Sequence, residues 1–132
     1  MQVNALDHIN IITDKLDETA AFYAALLGLE RRNGPPPLTP HNAQWMYAGE
    51  KPIVHINSTD CPRTFDRPVE PGALTGAIHH IALACSGYDE VTAQLDAMGR
   101  EYQTNTITAI GLRQIFMPDP NNVLLELNFF GD

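Results

Sequence analysis

Four polar residues stand inside apolar, strand-forming runs. His8 lies in Leu6-Asp7-His8-Ile9-Asn10-Ile11 and His80 in Ile78-His79-His80-Ile81-Ala82-Leu83. His55 lies in Ile53-Val54-His55-Ile56 and Glu126 in Leu124-Leu125-Glu126-Leu127. Burying an imidazole or a carboxylate is costly unless it is hydrogen-bonded, paired or bound to a metal. Two histidines and a carboxylate that leave open positions make the facial triad of non-haem Fe(II) sites. With His55 as a fourth ligand, Zn²⁺, Ni²⁺ or Co²⁺ fit as well. For any one of these residues alone, the plainer reading is a core side chain bonded to backbone. Their symmetry favours the metal.

That symmetry is an internal repeat, the feature to look for first because missing it misreads the fold. His8 and His80 stand 72 residues apart, and His55 and Glu126 stand 71 apart. Gly28 and Gly99, each placed to end a helix, are also 71 apart, and Trp45-Met46-Tyr47 aligns with Phe116-Met117-Pro118. If a pseudo-two-fold axis relates the halves, the equivalent positions converge on it.

The elements that must position these residues follow from periodicity. Leu6 to Ile12 reads as a strand. Leu16 to Leu27 has apolar residues at helical spacing, with Asp14 or Asp17 as N-cap and Gly28 as C-cap. Strands are expected around Leu29–Arg32, at Gln44–Ala48 and at Pro52–Asn57, the last with proline at its first position. The run Gly34-Pro35-Pro36-Pro37-Leu38-Thr39-Pro40 is a loop with polyproline character. Ser58 to Gly76, with Pro62, Pro68, Pro71 and Gly72, reads as a linker. The second half repeats the order: strand Ile78–Cys85, helix Tyr88–Met98 with Gly99 as cap, a strand beginning at Glu101–Thr104, a bend at Ile110-Gly111, then strands Leu112–Met117 and Val123–Phe129. The fold class is therefore α+β, with two tandem βαβββ modules. One domain is expected over 1–132, with module 1 at about 1–60, the linker at about 58–76 and module 2 at about 77–132.

Bulk properties narrow the partners. The 132 residues suit a single domain. A formal charge of −8 argues against nucleic acid or an anionic membrane surface, both of which call for basic patches. No apolar run approaches the roughly 20 residues of a membrane span, and the N-terminus lacks a signal-peptide pattern. Cys61 and Cys85 lie in unrelated contexts and read as free thiols of a cytoplasmic protein. His79 neighbours His80 on its strand and so faces the other way. His41 lies in the proline-rich loop and reads as solvated. Arg113 and Gln114 alternate on a strand, so one of them is a candidate to face a pocket for which Trp45, Tyr47 and Phe116 are candidate walls, the aromatics reading equally as ordinary core. Arginine there suits a substrate carboxylate, although a surface salt bridge is its commoner use.

Leu6-Asp7-His8-Ile9, Phe22-Tyr23 with Gly28-Leu29, His80-Ile81-Ala82-Leu83, and Asp119-Pro120 with Glu126-Leu127 together resemble the vicinal oxygen chelate superfamily over essentially the whole chain. It contains glyoxalase I, type I extradiol dioxygenases, methylmalonyl-CoA epimerase, and bleomycin or fosfomycin resistance proteins. The resemblance implies paired βαβββ modules forming a curled mixed sheet around a metal site, a divalent metal that takes vicinal substrate oxygens, and a homodimer acting on a small molecule. It implies His8, His80 and Glu126 as metal ligands. His55 stands where glyoxalase I carries a ligand Glu, and it resembles the acid–base histidine of extradiol dioxygenases. A ring-cleaving dioxygenase with Fe(II) is thus the first expectation, with Zn, Ni, Co or Mn as other metals. A glyoxalase- or epimerase-like lyase or isomerase is the alternative, and a non-catalytic bleomycin-binding type comes third. The chain departs from the extradiol signature at Phe116 (Tyr expected), at Ile107-Thr108-Ala109 (His expected) and at Asn122 (Gly or Pro expected).

Overall fold

The computed structural model describes residues 1, 4–6, 8–62 and 80–131. The chain divides into two compact units, Met1–Glu70 and Pro71–Asp132. Most of the expected linker, the start of the Ile78 strand and His79 lie outside the described residues.

Unit 1 is a βαβββ module: β1 (Ile9–Thr13), α1 (Leu16–Leu27), β2 (Glu30–Asn33), β3 (Ala43–Ala48) and β4 (Lys51–Ser58). Its sheet has the order β1-β4-β3-β2, with β1 parallel to β4 and the other pairs antiparallel. Unit 2 repeats it: β5 (Ile81–Cys85), α2 (Tyr88–Ala97), β6 (Gln103–Ile107), β7 (Leu112–Pro118) and β8 (Leu124–Phe130). Its sheet has the order β5-β8-β7-β6 with the same pairing senses. The duplication expected from the sequence is thus present element by element, as two open four-stranded mixed sheets.

Side chains alternate across a sheet, so each module has a helix-side face and an open face. In unit 1, Met46, Val54 and Ile56 share the core with Ala20, Phe22, Tyr23 and Leu26 of α1, all buried. In unit 2, Ile115, Met117, Leu125, Leu127 and Phe129 are buried with Leu95 of α2. The interrupting polar residues fall on the other phase.

Several local expectations are corrected. Helix α1 begins after Lys15 and has no side-chain cap, because the Thr13 hydroxyl accepts the Lys15 N–H and turns the chain there. Asp17 sits inside the first turn, where its charge favours the helix dipole. Gly28 ends the helix at φ 64°, and Gly99 follows α2 at the same angle, a region costly for residues with a Cβ. Pro52 is the second residue of β4, tolerated beside a register shift at Met46/Tyr47. The proline-rich loop closes into turns, with Leu38 N–H donating to the Pro35 carbonyl and Asn42 N–H to that of Thr39. Leu38 pins it by packing with Ala43, Trp45 and Cys61. Strand β6 starts two residues later than expected, and a 3₁₀ turn (Thr108–Ile110) closed by Gly111 makes the bend.

Candidate metal and proton-transfer site

The open face of unit 1 carries an ordered stack. Asn10 pairs in register with His55 on β4, and Trp45 pairs with His55 from β3. His8 stands one residue before β1, in phase with Asn10. The buried His55 ring lies flat between two others: the His8 ring at 3.9 Å and 12°, and the Trp45 indole at 3.7 Å and 3°. His8 itself is exposed. The indole Nε1–H donates to Asn57 Oδ1 at 3.4 Å, and Asn57 Nδ2 donates to Asn10 Oδ1 at 2.7 Å. Three strands thereby fix the plane of one imidazole. Tyr47 packs on the same apolar cluster, with the Arg32 guanidinium 4.3 Å over its ring. The hydrogen bond from Arg32 holds the Glu30 carboxyl below the usual range.

The open face of unit 2 carries the equivalent positions with other chemistry. His80 stands one residue before β5, as His8 does before β1. Its Nε2 lies 2.9 Å from Glu126 Oε2. Glu126 Oε1 accepts from Gln114 Nε2 at 2.9 Å. Phe116 pairs in register with Glu126, as Trp45 does with His55. An imidazole nitrogen and a carboxylate side by side suit a borderline divalent cation, which takes N and O donors together. Neither unit by itself gathers three or more His, Cys, Asp or Glu side chains as a ligand cluster among the described residues.

The alternation of Arg113 and Gln114 is resolved by register: Gln114 is on the open face and Arg113 on the helix side. The Arg113 guanidinium sits 3.8 Å over the Tyr88 ring and 3.6 Å from Asp89 of α2, away from Glu126. His41 lines a surface groove with Asp14, Asp17 and Arg31, on the side of α1. Cys61 and Cys85 are free, and burial pushes the Cys85 thiol up. Sequence reasoning missed Asn10, Asn57, Asn105 and Asn128. The signal was available for two of them, since His55-Ile56-Asn57 and Glu126-Leu127-Asn128 repeat an asparagine at one spacing.

Two tandem βαβββ modules, each an open four-stranded mixed sheet with one helix, define the class of fold. The chain belongs to the Glyoxalase/Bleomycin resistance protein/Dioxygenase superfamily, whose profile matches residues 5–127. Among curated proteins, it is 23% identical over 129 residues to Glyoxylase I 4 of Arabidopsis thaliana, covering 96% of this chain and 71% of the relative. Among solved structures, a protein from the mobile metagenome of V. Pseudocholerae has a TM-score of 0.71 at 14% identity, covering 100% of this chain and 98% of that one. A point mutant of the fosfomycin resistance protein FosX of Listeria monocytogenes, solved with Mn(II) and 1S,2S-dihydroxypropylphosphonic acid, has a TM-score of 0.67 at 21% identity, covering 98% of this chain and 94% of that one. Members of this superfamily generally use a divalent metal. Among the described residues no helix is long and apolar enough to cross a membrane.

Proposed function

We propose that the protein is a metal-dependent enzyme that moves a proton on a small oxygenated organic substrate, in the manner of a glyoxalase- or epimerase-like lyase or isomerase. The two modules act as one domain. On the family resemblance, His8, His80 and Glu126 are the residues that would hold the cation, and His55 the one that would handle the proton. The observation that carries this is the clamped His55 ring, buried and held flat between His8 and Trp45. An imidazole titrates near neutrality, and a fixed plane keeps its nitrogens in one direction, as general acid–base transfer requires.

A bound divalent cation would supply Lewis-acid polarisation of vicinal substrate oxygens. Trp45 and Phe116 stand at equivalent positions of the two modules and offer apolar surface to the substrate's carbon frame. Glu126 would give the cation a negatively charged oxygen and His80 an imidazole nitrogen. Mn(II), Co(II), Ni(II) and Zn(II) are all consistent with this donor set. The similarity to Glyoxylase I 4 points the same way.

Ring-cleaving dioxygenation with Fe(II) is the second reading, favoured by a histidine rather than a glutamate at position 55. Against it, Phe116 pairs directly with Glu126 and brings no hydroxyl. One experiment separates the two. Protein purified without added metal is analysed for metal, then loaded anaerobically with Fe(II) or Mn(II). It is assayed for oxygen uptake on catechols and for isomerisation of thiohemiacetals of 2-oxoaldehydes. We expect metal-dependent proton transfer that His55→Gln reduces by about 10²–10⁴-fold. Oxygen uptake on catechols without any isomerase activity would reverse the order. A homodimer in light scattering and a cytoplasmic location complete the proposal.

A further inference from the structure

The two modules treat one shared asparagine differently. In module 1, Asn57 bonds Asn10 on the first strand, and the β3 residue opposite it is Ala43. In module 2, the position matching Asn10 is Ala82, which pairs with Glu126 and offers no side-chain hydrogen bond. The residue opposite Asn128 is Gln114. Asn128 Oδ1 therefore accepts from Gln114 Nε2, at 2.9 Å. The other hydrogen of the same NH₂ goes to Glu126 Oε1, also at 2.9 Å. Gln114 Oε1 accepts from Asn105 Nδ2 at 2.8 Å.

A side-chain amide can turn over, exchanging its oxygen and nitrogen. Here it is held from both ends. The Glu126 carboxylate only accepts, so the NH₂ must face β8, and Asn105 Nδ2 on β6 donates to the oxygen. There it divides between Asn128 and Glu126. Gln114 is buried, at 8% exposure, so losing these bonds is not made good by water. The amide fastens one oxygen of Glu126 and leaves Oε2 turned toward His80 Nε2, at 2.9 Å.

We propose that Gln114 is a positioning residue for Glu126: it binds no substrate, and it fixes which carboxylate oxygen is presented beside His80. The assignment rests on Glu126 being a metal ligand. Groups that orient a ligating carboxylate typically contribute 10–100-fold to metal affinity.

The test is titration of the metal-free full-length protein with Co(II) alone, followed by calorimetry and by the visible absorption of the bound ion, with thermal melting of each metal-free variant alongside. Wild type, Glu126→Gln, Gln114→Met and Asn128→Ala are compared. Gln114→Met should weaken Co(II) by about 10–100-fold and shift the absorption bands. Asn128→Ala removes an equal Gln114 hydrogen bond but leaves Glu126 as the sole acceptor, so its Co(II) affinity should stay within about twofold of wild type. Asn105→Ala leaves the acceptor-only Glu126 carboxylate facing the NH₂, so its Co(II) affinity should also stay within about twofold of wild type; Gln114→Leu, which likewise removes the NH₂, carries the test if Gln114→Met does not fold. Wild-type affinity in Gln114→Met, or equal losses in Gln114→Met and Asn128→Ala, overturns the assignment while leaving Glu126 a ligand. Equal binding by wild type and Glu126→Gln overturns the proposed metal site itself, and the positioning role with it.

Discussion

Replacing Trp45 with phenylalanine should cost the protein about 1.5 kcal/mol, and replacing it with alanine about 3–5 kcal/mol. The difference can be worked from its contacts. Phenylalanine keeps an aromatic face against His55, so the 3.7 Å stack survives. It loses the indole N–H bond to Asn57, which at 3.4 Å is long and is worth about 0.5 kcal/mol. It also withdraws the outer edge of the indole from Leu38, Ala43 and Cys61. That is roughly 40 Å² of apolar surface, or about 1 kcal/mol at about 25 cal/mol/Å². Alanine removes the stack as well and leaves a cavity, a large share of the roughly 5–15 kcal/mol that holds a domain together. Urea unfolding followed by far-ultraviolet circular dichroism measures both, since Trp45 is the protein's one tryptophan. A double-mutant cycle with Asn57→Ala should return a coupling of about 0.5 kcal/mol. Equal losses in the phenylalanine and alanine variants would refute the stacking argument. A phenylalanine variant as stable as wild type would refute the packing argument.

Three further outcomes follow from the geometry. Leu125→Ala, at a fully buried position on β8, should cost about 2–5 kcal/mol in chemical denaturation, whereas Phe130→Ser, 62% exposed, should change stability by less than about 0.5 kcal/mol. Arg113→Gln breaks a guanidinium contact with Tyr88 and an ion pair whose Asp89 partner is largely exposed; it should cost at most about 1 kcal/mol and leave substrate KM unchanged. Burial holds the Cys85 thiol above its ordinary pKa, so it should alkylate slowly at neutral pH in the native state. On unfolding it ionises at a lower pH than in the fold, so its contribution favours the native state below the ordinary thiol range and is lost as pH rises past it; reactivity and stability profiles of Cys85→Ala against wild type measure this.

The repeat made the fold legible, because duplicated glycines and duplicated polar interruptions carry phase as well as composition. Gly28 and Gly99 could be assigned as helix ends because their backbone angle requires them. Strand β6 was misjudged for a physical reason: Gln103-Thr104-Asn105-Thr106-Ile107 is exposed throughout, and an edge strand without a buried face has no apolar alternation to read. The cap of α1 was misjudged because the turn is closed by Thr13, upstream of either aspartate. Which of Arg113 and Gln114 faces Glu126 depends on strand register, which a single sequence leaves open. The network of asparagines stayed hidden because its partners lie on different strands, although the Asn57 and Asn128 repeat pointed to it.

In both modules the first strand, which the histidine immediately precedes, is an edge of its own sheet among the described residues and pairs there with the last strand. Ile9 pairs with Val54 and Ile81 with Leu125, each closing a loop of more than forty residues. The other pairings join consecutive strands and close much shorter loops. Loop-closure entropy therefore makes the docking of β1 and β5 the most expensive pairing in each module. During synthesis, His8 and His80 emerge first within their modules yet acquire their places last, once β4 and β8 have left the ribosome. The residues proposed to carry the chemistry are thus brought to their strand partners at the closing step of each module, and a chain cut short before β8 would keep His80 and lose the strand that carries Glu126.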